Sequence, residues 1–242
     1  MRGTRASVWW AFRSVWNRSA YFPNHEADLL RLLTLERAQN ATVYVDTDVL
    51  FVAPLHLEPD CQVAVGIEEG SGGRALPEQE EIYHSQSRGA KPSAGAALCN
   101  AVFVAAAGAA LPRRAVHAFV SHYVPLTPGI SMLELHARGE WGAMGPGLLS
   151  ALLADPAPEE CIYEREAFYP IRPGDAHRAF GPWRAAEDDA TWGRIHARSV
   201  AVHYWNALTK AVPVTCGGLM HRLMTANCVL CEPVDCVNPE DS

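Results

Sequence analysis

The sequence has no run of about 18 or more apolar residues, so no segment of it reads as a helix that spans a bilayer. It also has no Lys/Arg run. With 20 basic and 27 acidic residues the net charge is -7, which gives nucleic acid no electrostatic footing and makes polyanions poor partners unless a metal intervenes. The opening MRGTRASVWWAFRSVW is basic and aromatic, but arginines interrupt it and no small-residue cleavage site follows a clean apolar stretch. It does not read as a signal peptide. Internal repeats and low-complexity tracts are absent too, which excludes solenoids and biased-composition tails. The composition, 49% hydrophobic and 19% charged, is that of a globular protein rather than a disordered or fibrous one. At 242 residues one sizeable domain, burying roughly 70% of its unfolded surface, accounts for the chain without a second.

Of the seven cysteines, four (Cys216, Cys228, Cys231 and Cys236) fall in the last 27 residues. Cys228-x-x-Cys231 is half of a zinc pattern, but the second CxxC is missing and no His lies among or after these residues. Disulfides formed in a secretory lumen are the expectation, in keeping with two glycosylation tripeptides, Asn17-Arg18-Ser19 and Asn40-Ala41-Thr42.

Leucine spacing predicts a helix over His25–Gln39, capped by Asn24 and ended by a left-handed Asn40, with Leu29, Leu30, Leu32 and Leu33 on a wide apolar face. Asp28 and Arg31 sit three apart and share a side of it. β-Branched residues then predict a strand at Thr42–Val45, continued by Val49–Val52 until Pro54 stops it. Residues 66–97, rich in Gly, Ser, Glu and Ala without a period, read as a mobile loop. A strand is expected at Ala97–Ala105, with Asn100 its one polar intrusion. Helices are expected from Pro112 to Tyr123, with Val116, Phe119, Val120 and Tyr123 as its stripe, and over Pro146–Leu153. A last strand is expected at Ser199–Trp205, placing His203 and Trp205 on one side of it. Helices alternating with short apolar strands make this an α/β domain.

The segment VYVDTDVL places Asp46 and Asp48 one residue apart at the end of an apolar strand. Two such carboxylates brought together by a turn repel unless a cation joins them, and hard oxygen ligands suit Mn²⁺ or Mg²⁺ held together with substrate phosphates. That combination points to a nucleoside diphosphate. The plain structural alternative is a solvated acidic turn, since Asp-x-Asp alone is common. A neutral His203 imidazole could complete a Mn²⁺ shell or be a hydrogen-bonded core residue. Asn100, if buried, needs partners, either sugar hydroxyls or backbone groups. Glu68, Glu69, Asp188 and Asp189 are further acidic candidates that solvated loops explain equally well.

Five ordered blocks make a closer comparison possible. ADLLRLLTL followed by VYVDTDVLFVAPL, then LCNAVFVA, WGAMGPGLLSALL, EAFYPI and AVHYWN, over about residues 27–206, resemble the DXD glycosyltransferases that include the alpha-1,4-galactosyltransferases and alpha-1,4-N-acetylglucosaminyltransferases and, more distantly, yeast initiating alpha-1,6-mannosyltransferases. The resemblance implies a GT-A-like fold, α/β with a mixed twisted sheet and the nucleotide-sugar at the strand ends. It implies that Asp46 and Asp48, with His203, hold Mn²⁺ (or Mg²⁺), Asp48 being the direct ligand, and that Asp28, Arg31, Asn100 and Trp205 contact the donor. It further implies transfer of galactose or N-acetylglucosamine from a UDP-sugar, with retention, to a hydroxyl of a glycolipid or glycoprotein glycan in the Golgi lumen, where full-length members are type II membrane proteins.

Two departures from the pattern stand out. Ala143 and Met144 occupy the place of a His-Gln pair in the family's WG..GP block, a change expected to alter specificity. Only about 26 residues precede the D-x-x-R helix, so the expected layout is a partial, N-terminally truncated region over 1–26, a catalytic domain over 27–227 and a Cys-rich tail over 228–242. A truncated, inactive domain that binds glycans or a protein partner is the competing expectation. A metal-dependent phosphohydrolase is a third, and would need more paired Asp and His than the motifs provide.

Overall fold

A computed structural model describes residues 21–56, 58–69, 96–123, 142–227 and 234–241. The first helix, α1 (Phe22–Arg37), starts earlier than the leucine pattern indicates. Pro23 lies in its first turn, where the missing N–H costs nothing, and Tyr21 occupies the cap position without a side-chain hydrogen bond. Asn24 is therefore inside the helix rather than its cap. At the other end the chain leaves through an extended Ala38, so no left-handed Asn40 is needed. Leu29, Leu32 and Leu35 are buried whereas Leu30 is 56% exposed, making the apolar stripe narrower than expected.

Four strands, β1 (Thr42–Val45), β3 (Val63–Glu69), β4 (Ala97–Ala105) and β5 (Glu160–Tyr163), form a mixed sheet in the order β1-β4-β3-β5. β4 runs antiparallel to both neighbours and β5 parallel to β3. The C-terminal ends of β1, β3 and β5 and the start of β4 consequently meet at one edge of the sheet. One face packs against α1, α2 (Ala110–Tyr123) and α3 (Pro146–Leu152), around Phe103, Leu111, Val116 and Phe119. The opposite face buries Tyr163, Phe168 and Tyr169, with the short helix α4 (Arg165–Phe168) behind it.

Register slips within the β3–β4 pair: Val65 faces Phe103, but Gly66 faces Cys99, leaving residues 100–102 of β4 as a bulge. Ala101 and Val102 both face the second cluster as a result, and Asn100 is turned toward α1. Tyr169 repairs the ladder from outside. Its hydroxyl accepts from Val102 N at 3.1 Å and donates to the Cys99 carbonyl at 3.4 Å. Gly66 makes the space, because a Cβ there would lie 2.7 Å from the rings of both Phe168 and Tyr169.

The remaining strands, β2 (Val49–Phe51) and β6 (Ala201–His203), pair antiparallel as a separate ribbon. A third core around Phe180, Ile195, Val202 and Met220 lies behind it. That core gathers α5 (Ala176–Phe180), α6 (Ala185–Arg198) and α8 (Leu219–Asn227), with α7 (Asn206–Thr209) following β6. Extended structure stops at His203 rather than at Trp205, which is left-handed at φ 55°. Disulfides join Cys61 to Cys161 and Cys216 to Cys236, and Cys99 is a buried free thiol. The Cys228-x-x-Cys231 pair, Asn17, most of the expected loop at 66–97 and most of the region 1–26 lie outside the described residues.

Candidate active site

The two carboxylates of the DTD turn face different partners because the turn joins different sheets. Asp46 N donates to the Ala101 carbonyl of β4 at 2.8 Å, and Val49 N closes the turn on the Asp46 carbonyl at 3.3 Å. On the far side, Tyr204 N donates to the Asp48 carbonyl at 3.0 Å and the Tyr204 hydroxyl to the Thr47 carbonyl at 2.9 Å. Backbone bonds to β4 and to the segment after β6 thus fix the direction of each aspartate.

Asp46 looks toward α1. Its Oδ1 accepts from Arg31 Nη2 at 2.8 Å and from the Tyr44 hydroxyl at 2.7 Å, and the guanidinium also lies 4.2 Å over the Tyr44 ring. Arg31 Nη1 stands 3.3 Å from Asp28 Oδ1, which in turn accepts from Asn100 Nδ2 at 2.8 Å. Burial works against the charge on Arg31, but the Asp46 and Asp28 carboxylates outweigh it and hold the guanidinium above its usual pKa. Burial raises the Asp28 carboxyl, against the lowering pull of Arg31 and Asn100. A Cβ on Gly145 would fall 2.5 Å from Asn100 Nδ2 and 2.6 and 2.7 Å from the Asp28 oxygens, so glycine alone lets the start of α3 close over this pair.

Asp48 looks the other way. Its Oδ2 is 3.0 Å from His203 Nε2 and accepts from Asn206 N at 2.8 Å. Burial disfavours its charge, yet the His203 bond and charge and the Asn206 amide prevail and keep the carboxyl below the usual range. Behind the imidazole stand Trp205, with ring centroids 4.1 Å away, and Tyr169, edge-on at 5.9 Å. Trp205 Nε1 donates to the Ile171 carbonyl at 2.8 Å. That bond and the burial of the indole offset the roughly 1–2 kcal/mol cost of a left-handed non-glycine residue. Four buried side-chain polar atoms among the described residues lack a hydrogen-bond partner. Three of them, Arg31 Nε, Arg31 Nη1 and His203 Nδ1, belong to this site. Arg31 Nη1 keeps its ion pair with Asp28, so Arg31 Nε and His203 Nδ1 are the two that call for an explanation at this site.

All seven residues singled out in the sequence, Asp28, Arg31, Asp46, Asp48, Asn100, His203 and Trp205, fall into these two linked groups at one sheet edge. Among the described residues, the only three His, Cys, Asp or Glu ligand atoms within 4.8 Å of one another are those of Asp60, Cys61 and Cys161, and there the sulfurs are already bonded together. Sequence reasoning missed Tyr44, Gly145, Tyr169 and the Asn206 amide. Tyr44 had a usable signal, since it lies two residues before Asp46 on the same side of a strand. Of the other acidic candidates, Asp188 is no loop residue: it is buried in the first turn of α6 and accepts from Arg184 N at 2.6 Å. Asp189 is exposed on that helix. Ala143 and Met144, in place of the His-Gln pair, pack against the α1–α3 core.

Fold and site together define an α/β protein with a mixed sheet whose edge presents two aspartates, one bound to a guanidinium and the other to an imidazole. Residues 132–233 match the family model described as the alpha 1,4-glycosyltransferase conserved region. That match supports the alpha-1,4-glycosyltransferase family for this chain, and a glycosyltransferase implies a sugar donor and an acceptor. It takes in Gly145, His203 and Trp205 and leaves Asp28, Arg31, Asp46, Asp48 and Asn100 outside. Neither a curated protein nor a solved structure matches the chain. No helix among the described residues is long and apolar enough to cross a membrane.

Proposed function

We propose that the chain is a metal-dependent, retaining hexosyltransferase of GT-A-like architecture. In this reading it moves galactose or N-acetylglucosamine from a UDP-sugar to a hydroxyl of a glycolipid or glycoprotein glycan in the Golgi lumen. The observation that carries it is the Asp48–His203 pair: a carboxylate oxygen and an imidazole nitrogen 3.0 Å apart, one residue from a second aspartate. Two adjacent ligands of an octahedral cation with bonds of roughly 2.1 Å stand about that far apart, so the donor set fits Mn²⁺ or Mg²⁺. Asp48 and His203 are the direct ligands in this reading, whereas Asp46, turned to Arg31 and Tyr44, does not join them and acts by holding the guanidinium at the site. A cation there supplies positive charge against the charge that develops on the departing diphosphate.

The chain's own residues do the rest. Asp28 and Asn100, locked to each other and to Arg31, offer a fixed set of donors and acceptors for sugar hydroxyls. Arg31, kept charged by two carboxylates, adds a cation beside the leaving group. Trp205 and Tyr169 keep water from one side of the imidazole and hold its plane. Release of UDP from a panel of UDP-sugars with Mn²⁺ tests this, comparing wild type with Asp48→Ala. Turnover that requires the metal and falls by about 10²-fold or more in the variant is expected. Wild-type protein that releases no UDP from any donor would instead favour the inactive glycan- or protein-binding module.

A further inference from the structure

Glu68 is one of four acidic candidates that the sequence leaves equal, and the structure puts it at the end of β3, beside the start of β4. Near the end of β3, Ile67 faces Leu98 and Glu69 faces Ala97, so Glu68 is an extra residue with no register partner on β4. A bulge of this kind re-aims the side chain it carries and is frequent beside active sites. Glu68 is half-buried; Ile67 packs in the α1-side core and Gly66 opens toward Phe168 and Tyr169, so strand alternation puts Glu68 on the Tyr169 side of the sheet, where the Tyr169 and His203 ring centroids are 5.9 Å apart. Cys99 and Asn100 point to opposite faces of β4, so Glu68 and the Asp28–Asn100 pair flank the start of that strand from opposite sides.

We propose that Glu68 binds hydroxyls of the donor hexose, closing on the sugar from the face opposite Asp28 and Asn100. This rests on the UDP-sugar reading above. A sugar joined to a diphosphate at Asp48 and His203 has to lie next to that imidazole, and Glu68 lies at the end of β3 on the side of the sheet where the Tyr169 ring backs it. Phosphate oxygens would be repelled by a second acidic side chain, whereas hydroxyls are neutral donors that a carboxyl accepts from. Cys99 itself, its thiol pushed up to about 12 by burial, is an inert neighbour rather than a nucleophile.

Calorimetric titration with UDP, UDP-galactose and UDP-N-acetylglucosamine in the presence of Mn²⁺ tests the proposal on wild type, Glu68→Ala, Glu68→Gln and the exposed control Glu69→Gln. The expected result is UDP affinity within about twofold of wild type in every variant. At least one UDP-sugar should weaken by roughly 10- to 100-fold in Glu68→Ala, the worth of a hydrogen bond to a charged group, and less in Glu68→Gln. Glu68→Gln keeps the side-chain volume, so the selective loss remains readable if the alanine variant unfolds. Equal weakening of UDP and UDP-sugar, or no change in either, overturns the role of Glu68. Wild-type protein that binds no UDP overturns the donor reading itself and this role with it.

Discussion

Adding one methyl group at Gly145 should break the Asp28–Asn100 pair. The new Cβ would lie 2.5 Å from Asn100 Nδ2 and 2.6 and 2.7 Å from the Asp28 oxygens, closer than real Cβ atoms approach anything. Neither side chain can swing into water, since both residues are only 7% exposed. What is lost is a charge-assisted hydrogen bond, about 1.5–3 kcal/mol, plus an overpacking cost of about 1–3 kcal/mol. Gly145→Ala should therefore destabilise the fold by about 2.5–6 kcal/mol. Urea unfolding of Gly145→Ala, Asn100→Ala and the double variant assigns the cause. Removing the Asn100 amide relieves the 2.5 Å approach and takes away the hydrogen bond that the new Cβ would break, leaving the approaches to Asp28, so the double variant should be less destabilised than the sum of the two singles by about 1 kcal/mol or more. Additivity within about 0.5 kcal/mol would refute the steric account.

Other perturbations act on separate parts of the structure. Tyr169→Phe removes the hydroxyl that serves Val102 N and the Cys99 carbonyl, and should cost about 1–3 kcal/mol in urea unfolding with the m-value unchanged. Loss of the Cys61–Cys161 bridge, which closes 100 residues, should cost more than loss of Cys216–Cys236, which closes 20. On chain entropy the two are worth roughly 4.7 and roughly 3 kcal/mol, and thermal melts of the paired Cys→Ser variants give the order. The folded-state pKa of Asp48 lies below its unfolded value, so its contribution to stability is full above about pH 4 and is lost as pH falls through the folded value. Asp28 has the opposite sign, its contribution being lost as pH rises through its raised value. Asp48→Asn should flatten the acid limb of a stability–pH profile and Asp28→Asn should steepen it.

How much of this was visible in the residues depends on whether local preference or tertiary contact decides each point. Thr42–Val45 and Ala97–Ala105 form strands over the expected residues, because β-branched and apolar runs in a covered sheet leave no competing structure. The cap at Asn24, the left-handed Asn40 and the extended Trp205 all failed at element ends. There Pro23, the extended Ala38 and the Trp205–Ile171 hydrogen bond decide instead. The aspartates of the DTD turn and the D-x-x-R pair were legible as polar residues that an apolar setting has to justify. Gly145 and Tyr169 were not, and Glu68 was one of four acidic candidates with nothing to single it out. A glycine's close approach, a hydroxyl that fills a bulge and a bulge that turns a glutamate are properties of strand register, which no local pattern encodes.

The most direct test is donor binding itself: titration of UDP-galactose and UDP-N-acetylglucosamine into the full chain with Mn²⁺, with EDTA in its place, and into His203→Ala with Mn²⁺. Binding that appears with Mn²⁺, vanishes with the chelator and weakens at least tenfold in the variant is the predicted result. Binding that is indifferent to the metal and to His203, or no binding under any condition, contradicts the assignment of Asp48 and His203 as the metal end of a sugar-transfer site.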